Sequence, residues 1–195
     1  MTPPPSQEGA SSHASPPAPA PLASEPAAHA SPPAPGGMTV WLTGLPSAGK
    51  TTLAHGVASV LASRGIRYQI LDGDVMREYL TKDLGFSKED RDTNVRRIGF
   101  VASLLAHQGV VVLCPVISPY RSSRAEVRGL HGPGRFFEVY IATPVETCEL
   151  RDVKGLYARA RNGEITGMTG IDDPYEPPFE PERLISAGTW RQIPE

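Results

Sequence analysis

The run Thr39-Val40-Trp41-Leu42-Thr43-Gly44-Leu45-Pro46-Ser47-Ala48-Gly49-Lys50-Thr51-Thr52 joins a strand, a glycine-rich turn and the start of a helix. Residues 39–43 are apolar or β-branched over strand length. Residues 44–51 match G-x-x-x-x-G-K-[ST] in full. Leu53, Val57, Val60 and Leu61 follow at helical spacing, and Gly65 suits the C-terminal stop. In that context the glycines let the main chain curl so that successive N–H groups point at a phosphate, and the helix adds its positive end. Gly44, Leu45, Pro46, Ser47, Ala48, Gly49, Lys50, Thr51 and Thr52 are therefore expected to bind ATP. Lys50 would reach the β- and γ-phosphates and the Thr51 hydroxyl would take a place on Mg²⁺. The pattern says nothing of what receives the phosphoryl group.

Outward from this run, strands and helices alternate. Tyr68 to Leu71 reads as a second strand. Ser87 caps a helix with Glu89 and Asp90 in its first turn and Val95, Ile98, Val101, Ala102 and Leu105 on one face, ending near Gly109. Val110 to Pro115 reads as a third strand, expected at the centre of the sheet because it is apolar without alternation. A helix from Arg121 to Leu130, a strand from Phe136 to Ile141, helices opening at Thr143-Pro144 and at Leu156, a loop over 163–181 and a short strand at Leu184-Ile185 complete the pattern. The fold class is α/β: a P-loop NTPase-type three-layer fold, with a parallel sheet flanked by helices and a lid segment. The basic stretch Arg151 to Arg161 is the expected lid.

Leu71-Asp72-Gly73-Asp74 puts two carboxylates at the carboxyl end of a strand, where open α/β sheets bind ligands. One could hold Mg²⁺ and its water while the other accepts a hydroxyl proton. The third strand ends without an acidic residue, so Asp72 (metal, with Thr51) and Asp74 (base) are the candidates. An ordinary acidic turn, with Asp72 capping the next helix, is the structural alternative. Nine basic residues (Arg77, Arg91, Arg96, Arg97, Arg121, Arg124, Arg151, Lys154 and Arg159) follow the candidate site, and sequence does not choose among them.

The chain has 195 residues, with 19 basic and 21 acidic side chains. Residues 1–37 hold 11 of the 21 prolines and carry only Glu8 and Glu25 as charged groups, which leaves 19 acidic against 19 basic residues in 38–195. A neutral domain argues against nucleic-acid binding through bulk positive charge. No run approaches a membrane span, and Cys114 and Cys148 cannot staple a domain of this size; two cysteines suit a reducing cytoplasm. The segment 1–37 lacks the apolar core and basic residues of an export or transit signal and is expected to be a disordered tail, with P-x-x-P at 16–19 and 32–35. Residues 38–195 are the expected kinase domain.

These residues resemble the adenylylsulfate kinase (APS kinase) family. The resemblance is carried by GLPSAGKTT at 44–52, LDGDVMR at 71–77, DLGFSKEDRDTNVRRI at 83–98, ISPYR at 117–121, RDVKGLYARAR at 151–161 and TGIDDPYEPP at 169–178. It implies transfer of a phosphoryl group from ATP, with Mg²⁺, to the 3′-hydroxyl of adenylyl sulfate, giving 3′-phosphoadenylyl sulfate for sulfate assimilation. It implies that Asp74 accepts or orients that hydroxyl, that Arg77, Arg91 and Asn94 hold the acceptor's phosphosulfate and sugar, and that Phe86 stacks on its adenine. Ile117 and Ser118 would line the same pocket, and Lys154 would neutralise transferring phosphate. Ser118 matches a serine described in the family as a phosphoserine intermediate; direct in-line transfer needs no such step. Met168 stands where the family often has an aromatic residue, and its polarizable thioether would pack on the base with weaker stacking. The family often forms dimers, so a homodimer is the expected assembly.

Three rival readings make different demands. Another small-molecule kinase of the same fold has no need of the Phe86–Arg91–Asn94 stretch. A GTP-binding switch needs Asn-Lys-x-Asp, and the chain has no Asn-Lys. A silent kinase-like module recruited by its proline-rich tail would not need Lys50, Thr51 and Asp74 intact.

Overall fold

The computed structural model describes residues 36–186. The expected tail and both P-x-x-P stretches lie outside the described residues, apart from Gly36 and Gly37. Five parallel strands form one sheet: β1 (Met38–Thr43), β2 (Tyr68–Ile70), β3 (Val111–Pro115), β4 (Phe136–Ala142) and β5 (Arg183–Ser186), in the order β2-β3-β1-β4-β5. The helices are α1 (Lys50–Ser63), α2 (Gly73–Tyr79), α3 (Lys88–His107), α4 (Arg121–Gly129), α5 (Val145–Arg151) and α6 (Leu156–Arg161).

The middle strand is β1, not β3 as its unbroken apolar run suggested. Both are inner strands buried on two faces, and burial on two faces is what removes alternation from a sequence. In β1, Trp41 packs with Val95, Ile98 and Ala102 of α3, Val127 of α4 and Phe136 of β4. Its neighbour Leu42 joins Ala54 and Ala58 of α1, Val139 and Ile141 of β4, Cys148 of α5 and Tyr157 of α6 on the opposite face. Successive side chains of one strand thus anchor both helical layers. Within the Trp41-side layer α3 and α4 sit close together: a Cβ on Gly99 would come within 2.5 Å of both γ-carbons of Val127.

Ser87 caps α3 as its sequence implies, its hydroxyl accepting from the Asp90 amide. The helix α2 is the element the sequence pattern left out, because seven residues carry too little periodicity to register. The basic stretch 151–161 holds the last residue of α5 and the whole of α6, the two helices that the sequence spacing predicts. It breaks at Asp152–Gly155, where Gly155 turns to φ 65° and Asp152 caps α6 by accepting from the amides of Tyr157 and Ala158. Those amide bonds hold the Asp152 carboxyl below its ordinary range. Cys114 and Cys148 are buried free thiols, and among the described residues no helix is long and apolar enough to cross a membrane.

Candidate active site

The turn between β1 and α1 is built to leave its amides open. Gly49, at φ 108°, precedes α1 in a left-handed conformation, and no side chain caps the helix. The first-turn N–H groups, those of Lys50, Thr51 and Thr52 among them, therefore lack the partner a capping residue would give. The loop's carbonyls, in contrast, are held from outside. Tyr157 Oη donates to Pro46 O at 3.0 Å, Thr143 Oγ1 to Ala48 O at 2.9 Å, and an Arg151 Nη to Ala48 O at 3.1 Å. With its carbonyls engaged and the first-turn amides of α1 free, the loop is an anion receptor. Lys50 is buried across it, its Nζ donating to Gly44 O at 2.9 Å and Leu45 O at 2.7 Å. Burial lowers its ammonium from 10.5 to about 8; Lys154 adds to the effect, while Asp74 and Asp72 oppose it. A buried ammonium short of counter-charge is a group prepared for a polyanion.

At the carboxyl end of β2, Asp72 does two jobs at once. Its Oδ1 accepts from the Asp74 amide, capping α2, and its Oδ2 accepts from Thr51 Oγ1 at 2.9 Å. The cap and the functional placement thus coexist, because a carboxylate has one oxygen for each. The cap turns Asp74 outward: its side chain is 70 % exposed, and its Oδ2 meets Lys154 Nζ from the break between α5 and α6. Asp74, Lys154, Lys50 and Thr51 therefore line one edge of the sheet, although they come from three separate places in the chain: α1, α2 and the break between α5 and α6.

The acceptor candidates form a second group beside it. Arg77 donates to the carbonyls of Leu84 and Gly85, and its guanidinium lies 4.4 Å from the Phe86 ring centroid. Arg91 approaches the same ring at 5.7 Å and donates from Nε to Phe86 O at 2.9 Å. Burial and the neighbouring Arg91 both press against the Arg77 charge and lower its pKa. Phe86 itself is 65 % exposed, an aromatic face held out to solvent between two cations. Asn94 is buried and accepts from Thr81 Oγ1 at 2.7 Å. Arg91 further donates to Thr169 Oγ1 at 2.9 Å and to Gly167 O, on either side of Met168. Met168 does not offer the expected face to a base: it is 6 % exposed and packed in the core cluster with Leu42, Ala48 and Tyr157.

Ser118 is likewise unsuited to the phosphoserine role. It is 1 % exposed, its Oγ accepts from Trp41 Nε1 at 3.0 Å and donates to Thr43 Oγ1 at 2.9 Å, and its backbone is held at φ 43°. Ile117 is half-buried beside it, its carbonyl accepting from Thr43 Oγ1 at 2.7 Å.

The nine basic candidates now separate. Arg96, Arg97 and Arg159 sit in exposed pairs with Glu126, Asp83 and Glu164. Arg124 is buried against Glu138, and Arg121 lies over the Phe179 ring. Arg77, Arg91, Arg151 and Lys154 are the four that reach the cradle, Asp74 or the Phe86 loop. Thr143 and Tyr157, which fix the cradle, had no signal in the sequence, since their partners lie 95 and 111 residues away. A cavity of about 560 Å³ borders the cradle at Leu45, between Thr143–Val145 and the segment 170–177, but neither Lys50, Asp74 nor Lys154 lines it.

Fold and cradle together define a P-loop kinase. The chain matches the adenylylsulphate kinase family over residues 36–186. A probable adenylyl-sulfate kinase of Synechocystis sp. is 60 % identical over 146 residues, covering 75 % of this chain and 81 % of the relative. The solved structure of the Mycobacterium tuberculosis APS kinase, in complex with AMPPNP and APS, superposes with a TM-score of 0.77 at 48 % identity, covering 80 % of this chain and 91 % of the other. A hexameric APS kinase from Thiobacillus denitrificans is 38 % identical with a TM-score of 0.54, covering 76 % of this chain and 25 % of that one. The chain belongs to the adenylylsulfate kinase family.

Proposed function

We propose that this protein transfers the terminal phosphoryl group of ATP to the 3′-hydroxyl of adenylyl sulfate, giving 3′-phosphoadenylyl sulfate for sulfate assimilation. The observation that carries the reading is the convergence of Asp74 and Lys154 with the Thr51–Asp72 pair, next to a Phe86 ring flanked by Arg77 and Arg91. Family membership and the likeness to an APS kinase solved with AMPPNP and APS support it.

In this reading the loop of residues 44–52 binds the phosphates of ATP through its open amides, those of Lys50, Thr51 and Thr52 among them, and Lys50 turns from its two carbonyl partners onto them. Asp74 accepts the proton of the attacking hydroxyl, within reach of the transferred group. Lys154, already paired with Asp74, orients that carboxylate and offsets charge in the transition state. Arg77 and Arg91 attract the acceptor's phosphosulfate, Phe86 stacks on its adenine, and Asn94 binds its sugar from beneath the loop. Ile117 and Ser118 form the wall behind, Ser118 as a structural residue, so transfer is direct. The Thr51 hydroxyl and Asp72 carboxylate are hard oxygen donors bonded to each other at 2.9 Å, a set that fits Mg²⁺, with phosphate and water completing the coordination. When bound, Mg²⁺ would neutralise charge on the β- and γ-phosphate oxygens. A cytoplasmic homo-oligomer belongs to the same proposal, supported by the hexameric relative, and sedimentation measures it. Incubation with ATP, Mg²⁺ and adenylyl sulfate should yield a ribose-phosphorylated product; none from soluble, folded protein overturns the reading.

A further inference from the structure

The segment from Gly167 to Pro177 carries no helix and no strand of the sheet, yet it borders the acceptor group and is tied down along its length by side-chain and backbone hydrogen bonds. Asp172 accepts from the amides of Gly167 and Met168, and Gly170 N donates to Asp173 O, so the segment is internally folded. Its C-terminal part is anchored by Tyr175 on Thr43 and by Glu176 on Pro119, Arg121 and Arg124, and its N-terminal part, beside the acceptor group, is anchored by Asp173 and Arg91. Both carboxylate oxygens of Asp173 accept from Tyr120 Oη, at 3.0 and 3.1 Å. Arg91 Nε lies 3.7 Å from Asp173 Oδ2, and Arg91 also binds Gly167 O, Thr169 Oγ1 and Phe86 O. Tyr120 is itself locked: it is buried, and Lys88 Nζ stands 4.6 Å from its ring centroid while bonded to Asp92. Burial and the Asp173 carboxylate push the phenol up to about 12, so it remains the donor through the neutral range.

We infer that Tyr120 and Asp173 are positioning residues for the acceptor: their phenol–carboxylate bond holds Asp173 against Arg91, and Arg91 in turn fixes the Phe86 loop relative to the segment 167–169. None of these contacts touches the phosphate cradle, Asp74 or Lys154. The clasp itself sits on the acceptor side, so its loss weighs on the fit of adenylyl sulfate rather than on the chemical step, while apolar packing of Met168 with Ala48 and of Gly170 beside Leu45 keeps the segment on the cradle independently of it. This inference rests on the Phe86–Arg91 side being the acceptor site.

Full-length Tyr120→Phe, Asp173→Asn and Asp173→Ala are compared with the wild type by steady-state kinetics, varying each substrate in turn. A hydrogen bond to an ionised group sets an equilibrium by roughly tenfold. Tyr120→Phe should raise KM for adenylyl sulfate about tenfold and leave KM for ATP and kcat unchanged. Asp173→Asn retains an acceptor oxygen for the phenol and should lie nearer the wild type than Asp173→Ala. Unchanged kinetics, an equal rise in both KM values, or a fall in kcat alone overturns the clasp. Amide hydrogen exchange gives a readout that needs no turnover: the Gly170 and Met168 amides should exchange about tenfold faster in Tyr120→Phe. If the wild type forms no product, the acceptor reading fails while the exchange result still decides the clasp; unaltered exchange refutes it.

Discussion

The stability of the protein free of nucleotide should climb with pH through a step that belongs to Lys50. Its ammonium is buried beneath the cradle and lowered from 10.5 to about 8. Below pH 8 both folded and unfolded chains hold the proton, and the fold carries the full penalty of the enclosed charge. Between about 8 and 10.5 the folded protein releases its proton while the unfolded chain keeps it, so the unfolded state binds more protons and stability rises with pH. Above 10.5 both forms are neutral and the penalty is gone. The whole step amounts to about 3 kcal/mol, of which about 2 kcal/mol falls between pH 7 and 9.5. Urea unfolding of the wild type and of Lys50→Met across that range isolates it, because the other titrating groups are common to both and cancel in the difference. The wild type should gain on the variant by about 2 kcal/mol from pH 7 to 9.5. A non-hydrolysable ATP analogue should abolish or reverse the wild-type rise, since phosphate oxygens replace the hydration the ammonium lost. Parallel curves for the two proteins would mean that Lys50 is not held as a buried charge, and the account of the cradle would fail.

Asp74→Asn should lower kcat by about 10²- to 10⁴-fold with ATP binding intact, as loss of a general base requires; weakened ATP binding at preserved kcat would make Asp74 a binding group. Ser118→Ala should retain turnover, and urea unfolding should show a loss of about 1–2 kcal/mol because Trp41 Nε1 and Thr43 Oγ1 lose a buried partner. A stable but inactive Ser118→Ala would reinstate an obligatory phosphoserine. Arg124→Met should cost about 1–3 kcal/mol by leaving Glu138, which Arg124 holds at 2.7 Å, with only its 3.3 Å contact to Arg128. The double change with Glu138→Met should recover much of that; equal losses for single and double variants would show that the pair's charge is not the cause.

Much of the fold follows from local rules that the chain obeys plainly. The eight residues from Gly44 to Thr51 specify a cradle because the glycine conformations and the open helix start are set within a few bonds of each other, and Ser87 caps α3 with a partner three residues away. The element α2 is legible only through its cap, Asp72, because its seven residues make about two turns and carry too little periodicity to mark a face. The place of β3 was misjudged for a different reason: an apolar run reports burial on both faces, which every inner strand shares, and not its rank in the sheet.

By itself the sequence determined the chemical inventory: a phosphate cradle, two carboxylates after the second strand, an aromatic-and-arginine stretch, and a basic segment beyond the fourth strand. Only the tertiary structure decided which of nine basic residues reach the site, that Ser118 and Met168 are enclosed rather than presented, and that Lys154 meets Asp74 across 80 positions of chain. The division has a physical origin. Cradle, caps and strands arise from interactions between near neighbours, which spacing records. The choice among distant partners depends on burial and on counter-charges brought together by the packing of both helical layers on β1, and no local pattern encodes that.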